Sequence, residues 1–199
     1  MKLELNSPNF RFINNGAINA SSDSKKACGI YFVDGEVGNI ENNGTISSTY
    51  GIYVNYGSVG NIENNGAINA SSDSERAYGM YVNNGKVENI ENNGTINGSS
   101  NSSSAYGIYV NYGSVGNIEN NGVITGNSGT GHSIGIGIYG RGVATQMIIN
   151  RGIINNKISP NGSSTNSNSG IAAGPDSEGT EKIINIGEIN SSNDGNAFT

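Results

Sequence analysis

The sequence is poor in the residues that build most enzyme sites and disulfide frameworks. It has one cysteine, one histidine, three prolines and no tryptophan. A single cysteine excludes an internal disulfide. No Cys, His and Asp constellation suggests a transition metal, and no cofactor is expected. Charged residues make up 13% of the chain and the net charge is −6. Because no basic cluster exceeds Lys25-Lys26, the sequence argues against a nucleic-acid partner.

Long apolar stretches are also missing. No apolar run approaches the length that would span a bilayer, so no membrane span is expected in this segment. The first six residues, Met1 to Asn6, lack the apolar core of a signal peptide, so none is expected in this chain. Only 34% of the residues are hydrophobic, which is little for a globular core, whereas 31 are glycine.

What the sequence has in abundance is a repeat. Its kernel reads apolar, any residue, Asn, any residue, Gly, any residue, Ile, as in Ile62 to Ile68. The kernel glycines are Gly16, Gly44, Gly66, Gly94, Gly122, Gly152 and Gly187. Subtraction gives spacings of 28, 22, 28, 28, 30 and 35 residues. A unit that returns at such intervals is typical of a solenoid.

Within the kernel the fixed positions lie two residues apart, which is the period of a strand. One face therefore holds aliphatic residues and a single Asn, for example Ile62, Asn64 and Ile68. A buried, unpaired amide costs about 1–3 kcal/mol. If each repeat is one coil, equivalent Asn side chains lie about 4.8 Å apart and can bond to one another. The kernel thus predicts a strand, an Asn-stabilised corner and a second strand.

A second unit precedes most kernels, with Gly51-Ile-Tyr-Val-Asn as its pattern. Its alternation predicts another strand with Ile and Val inward and Tyr outward. A turn such as Tyr56-Gly57 then leads into the next kernel. Three short strands per coil predict an all-β, parallel β-helix solenoid of about seven coils of 22–35 residues, which we expect to be right-handed. Residues 12–190 form the single solenoid, 1–11 an N-terminal strand, cap or linker, and 191–199 a frayed or truncated tail.

One coil is shorter than the others. Ile46 to Gly51 spans 5 positions, whereas Ile68 to Gly79 spans 11, so six residues are missing between the kernel and the next strand. The extra residues of the longer coils are rich in Ser, Asn and Asp. This predicts a bare coil of about 22 residues with optional loops at one corner, which solenoids tolerate.

The Asn-x-Gly-x-Ile kernel, the Gly-Ile-Tyr strand and the Ser/Asn-rich corner resemble passenger-domain repeats of bacterial autotransporters and related large surface adhesins. The resemblance covers about residues 12–190. It implies export, a location at the cell surface, at the outer membrane or in the medium, and adhesion or toxin roles. Expected partners are a host-cell glycan or protein, or other bacterial surface components.

Two outward columns are candidate sites. The first consists of tyrosines: Tyr31, Tyr53, Tyr81, Tyr109 and Tyr139. Such a row could stack on sugars or on a partner surface, because Tyr is favoured at interfaces. The alternative is that the rings stack on one another across the coils and only stabilise the rod.

The second column consists of glutamates: Glu41, Glu63, Glu91 and Glu119. Carboxylates about 5 Å apart could act as a polysaccharide-cleaving pair or bind cations weakly. The alternative is a solvated acidic face repeated with the coil. Because catalytic carboxylates need environments that differ from one another, we expect a non-enzymatic β-helical stalk or binding surface. The competing hypothesis is a polysaccharide-binding or polysaccharide-cleaving β-helix of the lyase or tailspike type.

Overall fold

The computed structural model describes residues 1–22, 26–140, 144–158, 168–174, 179–191 and 196–198. Throughout these ranges the regular structure is β-strand, with no helix, and every strand pair is parallel. The strands stack coil upon coil around one core. The prediction of a parallel β-helix solenoid is therefore confirmed.

Three faces make up the solenoid. The face with the tyrosine columns, called here the tyrosine face, contains β5 (Tyr50–Asn55), β8 (Ala77–Asn83), β11 (Ala105–Asn111), β14 (Ser133–Tyr139), β17 (Asn168–Ala173) and β20 (Asn196–Phe198). The face with the glutamate column, the glutamate face, contains β6 (Ser58–Asn64), β9 (Lys86–Asn92), β12 (Ser114–Asn120), β15 (Ala144–Asn150) and β18 (Gly179–Asn185). The third face contains β2 (Ala17–Asn19), β4 (Thr45–Ser48), β7 (Ala67–Ser72), β10 (Thr95–Ser100), β13 (Val123–Ser128), β16 (Ile153–Ile158) and β19 (Glu188–Asn190).

Two long strands connect the tyrosine and glutamate faces at the start of the stack. β1 (Lys2–Asn14) pairs with β3 (Cys28–Asn42), and β3 pairs in turn with β5 and β6. The two faces thereby form one 13-stranded sheet, while the third face is a separate 7-stranded sheet. Seven strands on the third face correspond to the seven kernels of the sequence.

The kernel sets the register between coils. Ile62 pairs with Ile90, Glu63 with Glu91, and Asn64 with Asn92. The neighbouring strands on this face follow the same alignment. Every kernel column of the sequence is therefore a column of side chains in space.

The core lies between the three faces. One coil contributes Ile52 and Val54 from the tyrosine face, Val59 and Ile62 from the glutamate face, and Ile68 from the third face, each at most 1% exposed. Full burial of an aliphatic side chain contributes about 1.5–3 kcal/mol. Each coil shares this burial with its neighbours, so a stack is stable where a single coil is not.

Close approach between coils explains the kernel glycine. A Cβ atom on Gly94 would lie 2.0 Å from the carbonyl oxygen of Gly66 in the preceding coil. The glycine of the second unit is confined from another side, because a Cβ on Gly79 would lie 2.4 Å from Cγ2 of Ile96 in the core. Any side chain at either position would push the coils or faces apart.

Both ends of the chain add strands to this stack. Residues 2–11, which the sequence assigned to a strand, cap or linker, belong to β1, where Lys2 pairs with Tyr31 and Phe12 with Ile40. In the predicted tail, β20 pairs with β17, Ser169 lying opposite Asn196. Residues 192–195 and 199 of that tail lie outside the described residues.

Candidate binding surfaces

An asparagine ladder inside the glutamate face fixes the outer columns in place. It consists of Asn14, Asn42, Asn64, Asn92, Asn120, Asn150 and Asn185. The Nδ2 of each of the first six donates to Oδ1 of the Asn in the following coil at 2.7–2.8 Å. The same Nδ2 also donates to backbone carbonyls, as Asn64 does to Gly66 and Thr95. The predicted stacking of buried amides is thus present, and all the bonds run in one direction along the rod.

The predicted glutamate column lies on the outer side of this ladder. Glu41, Glu63, Glu91 and Glu119 are register partners on successive strands. Within three of the coils, the second kernel Asn donates to the carboxylate: Asn43 to Glu41 at 2.6 Å, Asn65 to Glu63 at 2.8 Å and Asn93 to Glu91 at 2.9 Å. These asparagines also bond to one another, Asn93 donating to Asn65 at 2.9 Å.

Arginines neutralise both ends of the glutamate column. Arg11 forms an ion pair with Glu41, and Arg151 forms one with Glu119. The hydrogen bond from Asn43, followed by the charge and hydrogen bond of Arg11, lowers the pKa of Glu41. A lowered pKa keeps this carboxyl ionised, whereas a general acid needs a raised pKa. The column is thus a row of hydrogen-bond acceptors that are held in place by Asn and Arg side chains.

A shallow groove follows the glutamate column along the rod. Its other wall is a row of amides from Asn39, Asn61, Asn89 and Asn117, which bond to one another at 2.8–3.1 Å. The groove has a volume of about 400 Å³ and ends near Met147 and Ile149. Amide and carboxylate groups thus alternate across it at intervals of one coil, about 4.8 Å. Such a surface can accept and donate hydrogen bonds to an extended polar polymer.

The predicted tyrosine column is present but is less accessible than an outward column suggests. The rings of Tyr53 and Tyr81 stack at 4.8 Å, and those of Tyr31 and Tyr53 at 4.9 Å. Contacts at 5.4 and 5.5 Å continue the row through Tyr109 to Tyr139. All five side chains are half-buried. Two hydroxyls donate to neighbouring amides, for example that of Tyr81 to Asn83 at 3.0 Å.

A second, more deeply buried tyrosine column packs beside the first and was not predicted as a cluster from the sequence. Tyr50, Tyr78 and Tyr106 are 3–5% exposed and pack against the predicted column. Tyr78 stacks on Tyr81 at 4.6 Å. Burial raises the pKa of Tyr50 and of Tyr106 far above the ordinary value of 10.0. The array therefore has the contacts of a stabilising cross-coil stack, and its role in ligand binding stays a prediction.

The most exposed tyrosines lie at the turn between the tyrosine face and the glutamate face, where the sequence analysis predicted only a turn. Tyr56 is 63% exposed and Tyr112 is 58% exposed. Both have a positive φ, 60° and 51°, as do Asp34 and Asn84 in the same column. Such a conformation suits Asn, Asp and Gly and is costly for a large side chain. Two aromatic rings are thus held in solvent, two coils apart, at an energetic cost.

Neither a metal-binding cluster nor a membrane-spanning helix is found among the described residues. They contain no group of three or more His, Cys, Asp or Glu side chains placed to hold a metal ion. Weak cation binding by the glutamate column stays a prediction. Among the same residues, no helix has the length and apolarity needed to cross a bilayer.

Comparisons with known proteins gave no match to any family model, to any curated protein or to any solved structure. The class that the geometry defines is that of parallel β-helix solenoids. Function has to be inferred from the surfaces of this chain, because a fold by itself does not specify an activity.

Proposed function

We propose that this chain is a non-enzymatic segment of a bacterial surface-exposed or secreted protein, in which a rigid β-helix holds or forms a binding surface. The observation that supports this proposal is the asparagine ladder, which continues without a break from Asn14 to Asn185 and is buried from Asn14 to Asn150. It couples every coil to the next and presents the outer columns at a constant spacing. A rod of this kind suits a stalk or adhesive segment, as in the autotransporter-like proteins that its repeats resemble.

Two outer features are suited to contact a partner. Tyr56 and Tyr112 offer exposed aromatic rings at the turn, and the groove of the glutamate face offers amides and carboxylates. Aromatic rings contribute to contacts with protein and with sugars because they are large, stiff and carry a polar end. The proposed partners are a host-cell glycan or protein, or another bacterial surface component.

A second candidate function is binding of an extended polysaccharide along the groove. The observation that favours it is the alternation of Asn and Glu across the groove, which repeats once per coil. Cleavage has less support. A retaining or inverting pair needs one carboxyl group with a raised pKa. Glu63 and Glu91 have the same kind of Asn partner, and Glu41 has a lowered pKa.

Binding and hydrolysis can be tested together on a panel of acidic and neutral polysaccharides and host-cell surface proteins. Two variants separate the surfaces: Tyr56→Asn with Tyr112→Asn removes the exposed rings, and Glu63→Gln with Glu91→Gln removes charge from the groove. Asn84 shows that Asn fits the turn position, so the first variant keeps the fold. A partner lost only in the first variant contacts the turn, and one lost only in the second contacts the groove.

Release of reducing ends from any polysaccharide would overturn the non-enzymatic proposal. Retention of binding by both variants would exclude these two surfaces as the site. Both variants are expected to keep the thermal midpoint of the wild-type protein within a few degrees, and this is checked by circular dichroism before binding is compared.

A further inference from the structure

The short coil, which lacks the corner loop, leaves a cleft between the chain segments on either side of it. Register aligns Ser48 with Ala70 and Tyr50 with Tyr78. Between these aligned positions the short coil has a single residue, Thr49, whereas the following coil has seven. The cleft has a volume of about 740 Å³ and lies at the corner between the third face and the tyrosine face. It is built into the stack, because coils lie on both sides of it.

Small polar residues line this cleft. Its floor contains Ser47 and Thr49 of the short coil. One wall is the chain at 19–22, which follows β2, and the other is the loop between β7 and β8 at 71–75, called here the β7–β8 loop. The two walls belong to coils that are two strand spacings apart, about 9.6 Å. The walls themselves take up one of these spacings, so the open space is about as thick as one polypeptide chain.

In the coils that follow, the corner loops bond to one another in a repeated pattern. The N–H of Asn101 donates to the carbonyl of Ser72 at 3.1 Å, and the hydroxyl of Ser100 donates to the carbonyl of Glu75 at 2.7 Å. The loop of the next coil makes the same two bonds, at 2.8 and 2.7 Å. Each of these loops thus directs two donors at two carbonyls of the preceding loop, and those carbonyls are three residues apart.

The β7–β8 loop carries the same two donors but follows the coil without a loop. Ser72 aligns with Ser100, and Asp73 lies beside Asn101. The short coil has no residue at the position of either accepting carbonyl. The N–H of Asp73 and the hydroxyl of Ser72 therefore face the cleft. Their exposure agrees with this, since Ser100 and Ser128 are 2% and 1% exposed whereas Ser72 is only partly buried.

We propose that the cleft binds a loop of a partner protein, which takes the place of the corner loop that the short coil lacks. Two main-chain carbonyls of the partner, three residues apart, accept hydrogen bonds from the N–H of Asp73 and the hydroxyl of Ser72. Main-chain bonds of this kind supply affinity in peptide recognition, and side-chain fit supplies specificity.

The packing of the other corner loops restricts the side chains of the partner. A Cβ on Gly129 would lie 1.9 Å from the carbonyl oxygen of Asn101, so neighbouring loops approach closely. The partner loop is therefore rich in Gly, Ser and Asn. Asp73 and Glu75 are exposed and line the cleft, so the partner loop is also neutral or basic. A glycan offers acceptors too, but the spacing of the two donors is that of a carbonyl pair on a loop, which favours a polypeptide.

The probe for the test is a head-to-tail cyclic peptide with the sequence of residues 98–105, Gly-Ser-Ser-Asn-Ser-Ser-Ser-Ala. Cyclisation suits this loop because its ends meet in the structure, where a Cβ on Gly98 would lie 2.0 Å from the carbonyl oxygen of Tyr106. It also reduces the entropy that is lost on binding. The peptide is titrated into the isotope-labelled full chain, and the amide signals are followed by NMR. The amide of Asp73 is expected to shift with the L-peptide and not with its mirror image, which has the same composition and charge.

Two variants separate the cleft from other surfaces. In the first, a copy of residues 72–77 is inserted between Thr49 and Tyr50, which gives the short coil a loop of the usual length and fills the cleft. This variant is expected to keep or raise the thermal midpoint and to weaken peptide binding roughly tenfold or more. Ser72→Ala removes one donor and is expected to weaken binding roughly fivefold. Ser128→Ala is the matched control, because it removes the equivalent hydroxyl two coils away from the cleft.

Several outcomes would overturn this proposal. The Asp73 amide could stay unshifted at every peptide concentration, or the mirror-image peptide could bind as strongly as the L-peptide. The loop-filled variant could bind like the wild-type chain, or Ser72→Ala like Ser128→Ala, which would place the peptide elsewhere. A neutral oligosaccharide such as maltotriose could shift the Asp73 amide where the peptide does not, which would assign the cleft to a glycan. The glutamate groove and the exposed tyrosines lie on other parts of the rod, so the proposed function is tested separately.

Discussion

Thr145 lies directly opposite Val115 in the register of the glutamate face, and both are buried, yet the hydroxyl of Thr145 has no hydrogen-bond partner among the residues that the structure describes. Val37, Val59 and Val87 fill the same column. A buried hydroxyl without a partner costs about 1–3 kcal/mol. Thr145→Val is therefore expected to raise the free energy of unfolding by about 1–2 kcal/mol, measured by urea denaturation. Thr95→Val, on the partly exposed outer side of β10, is the control and should change it little.

The asparagine ladder should be most sensitive to a charge in its middle. Asn92→Asp leaves a carboxylate facing three acceptors, the carbonyls of Gly94 and Val123 and Oδ1 of Asn120. An uncompensated buried charge costs about 3–5 kcal/mol, so this loss is expected at pH 7. Burial raises the pKa of the new carboxyl, so the loss should shrink as the pH falls through the raised pKa. Asn93→Asp, on the exposed outer row, should cost under about 1 kcal/mol.

The kernel glycines should differ in how well they tolerate substitution by alanine, according to whether a preceding coil packs against them. Gly94→Ala forces a Cβ within 2.0 Å of the carbonyl oxygen of Gly66, whereas a Cβ on Gly16 would have no atom of the described residues within 4 Å. Gly94→Ala is expected to cost about 2–4 kcal/mol, since backbone atoms cannot move aside without separating two coils. Gly16→Ala should leave thermal unfolding unchanged. Equal midpoints for the two variants would contradict the close stacking of the corners.

The tyrosine array should make the protein sensitive to alkali. Burial raises the pKa of Tyr50, Tyr78 and Tyr106 above that of tyrosine in the unfolded chain, which is about 10. Their contribution to stability is therefore fully present below about pH 10. It is lost as the pH rises toward the raised values, by up to about 1.4 kcal/mol per pH unit for each tyrosine.

Circular dichroism and the absorbance of phenolate, followed together above pH 9, test this expectation. Unfolding and ionisation should occur in one cooperative step. Tyr50→Phe keeps the ring but removes one ionisable group, so the alkaline midpoint should move to higher pH. Ionisation of all tyrosines before any loss of β-structure would contradict the burial of this array.

The sequence was sufficient to predict the coil, the Asn ladder and the register of the outer columns, because these depend on positions two residues apart that recur in every repeat. It did not predict how far Tyr53 and Tyr81 are covered. Gly51 and Ile52 both point into the core at the corner. The side chain of Tyr50 therefore lies on the outer side of the sheet, where it packs against Tyr53. That change of direction is set by the third face, where Ile68 packs against Gly51.

The exposed tyrosines at the turn were also not predicted as a site. Gly57 after Tyr56 indicated a turn, but the left-handed conformation of Tyr56 depends on how the two faces meet. A single sequence gives no measure of that geometry. The ion pairs of Arg11 and Arg151 likewise follow from register, because each arginine bonds to a glutamate that is 30 or 32 residues away in the chain.

The regular register has a consequence for the gene as well as for the protein. Asn64 and Asn92 occupy equivalent points and are 28 residues apart. Removal of residues 65–92 would join Asn64 to Asn93 and recreate the sequence Ile-Glu-Asn-Asn-Gly, with β6 in position to pair with β12. In-frame loss or duplication of such a unit by recombination between similar repeats thus changes only the length of the rod. The length of the rod can therefore change by whole coils while the contacts between neighbouring coils stay the same.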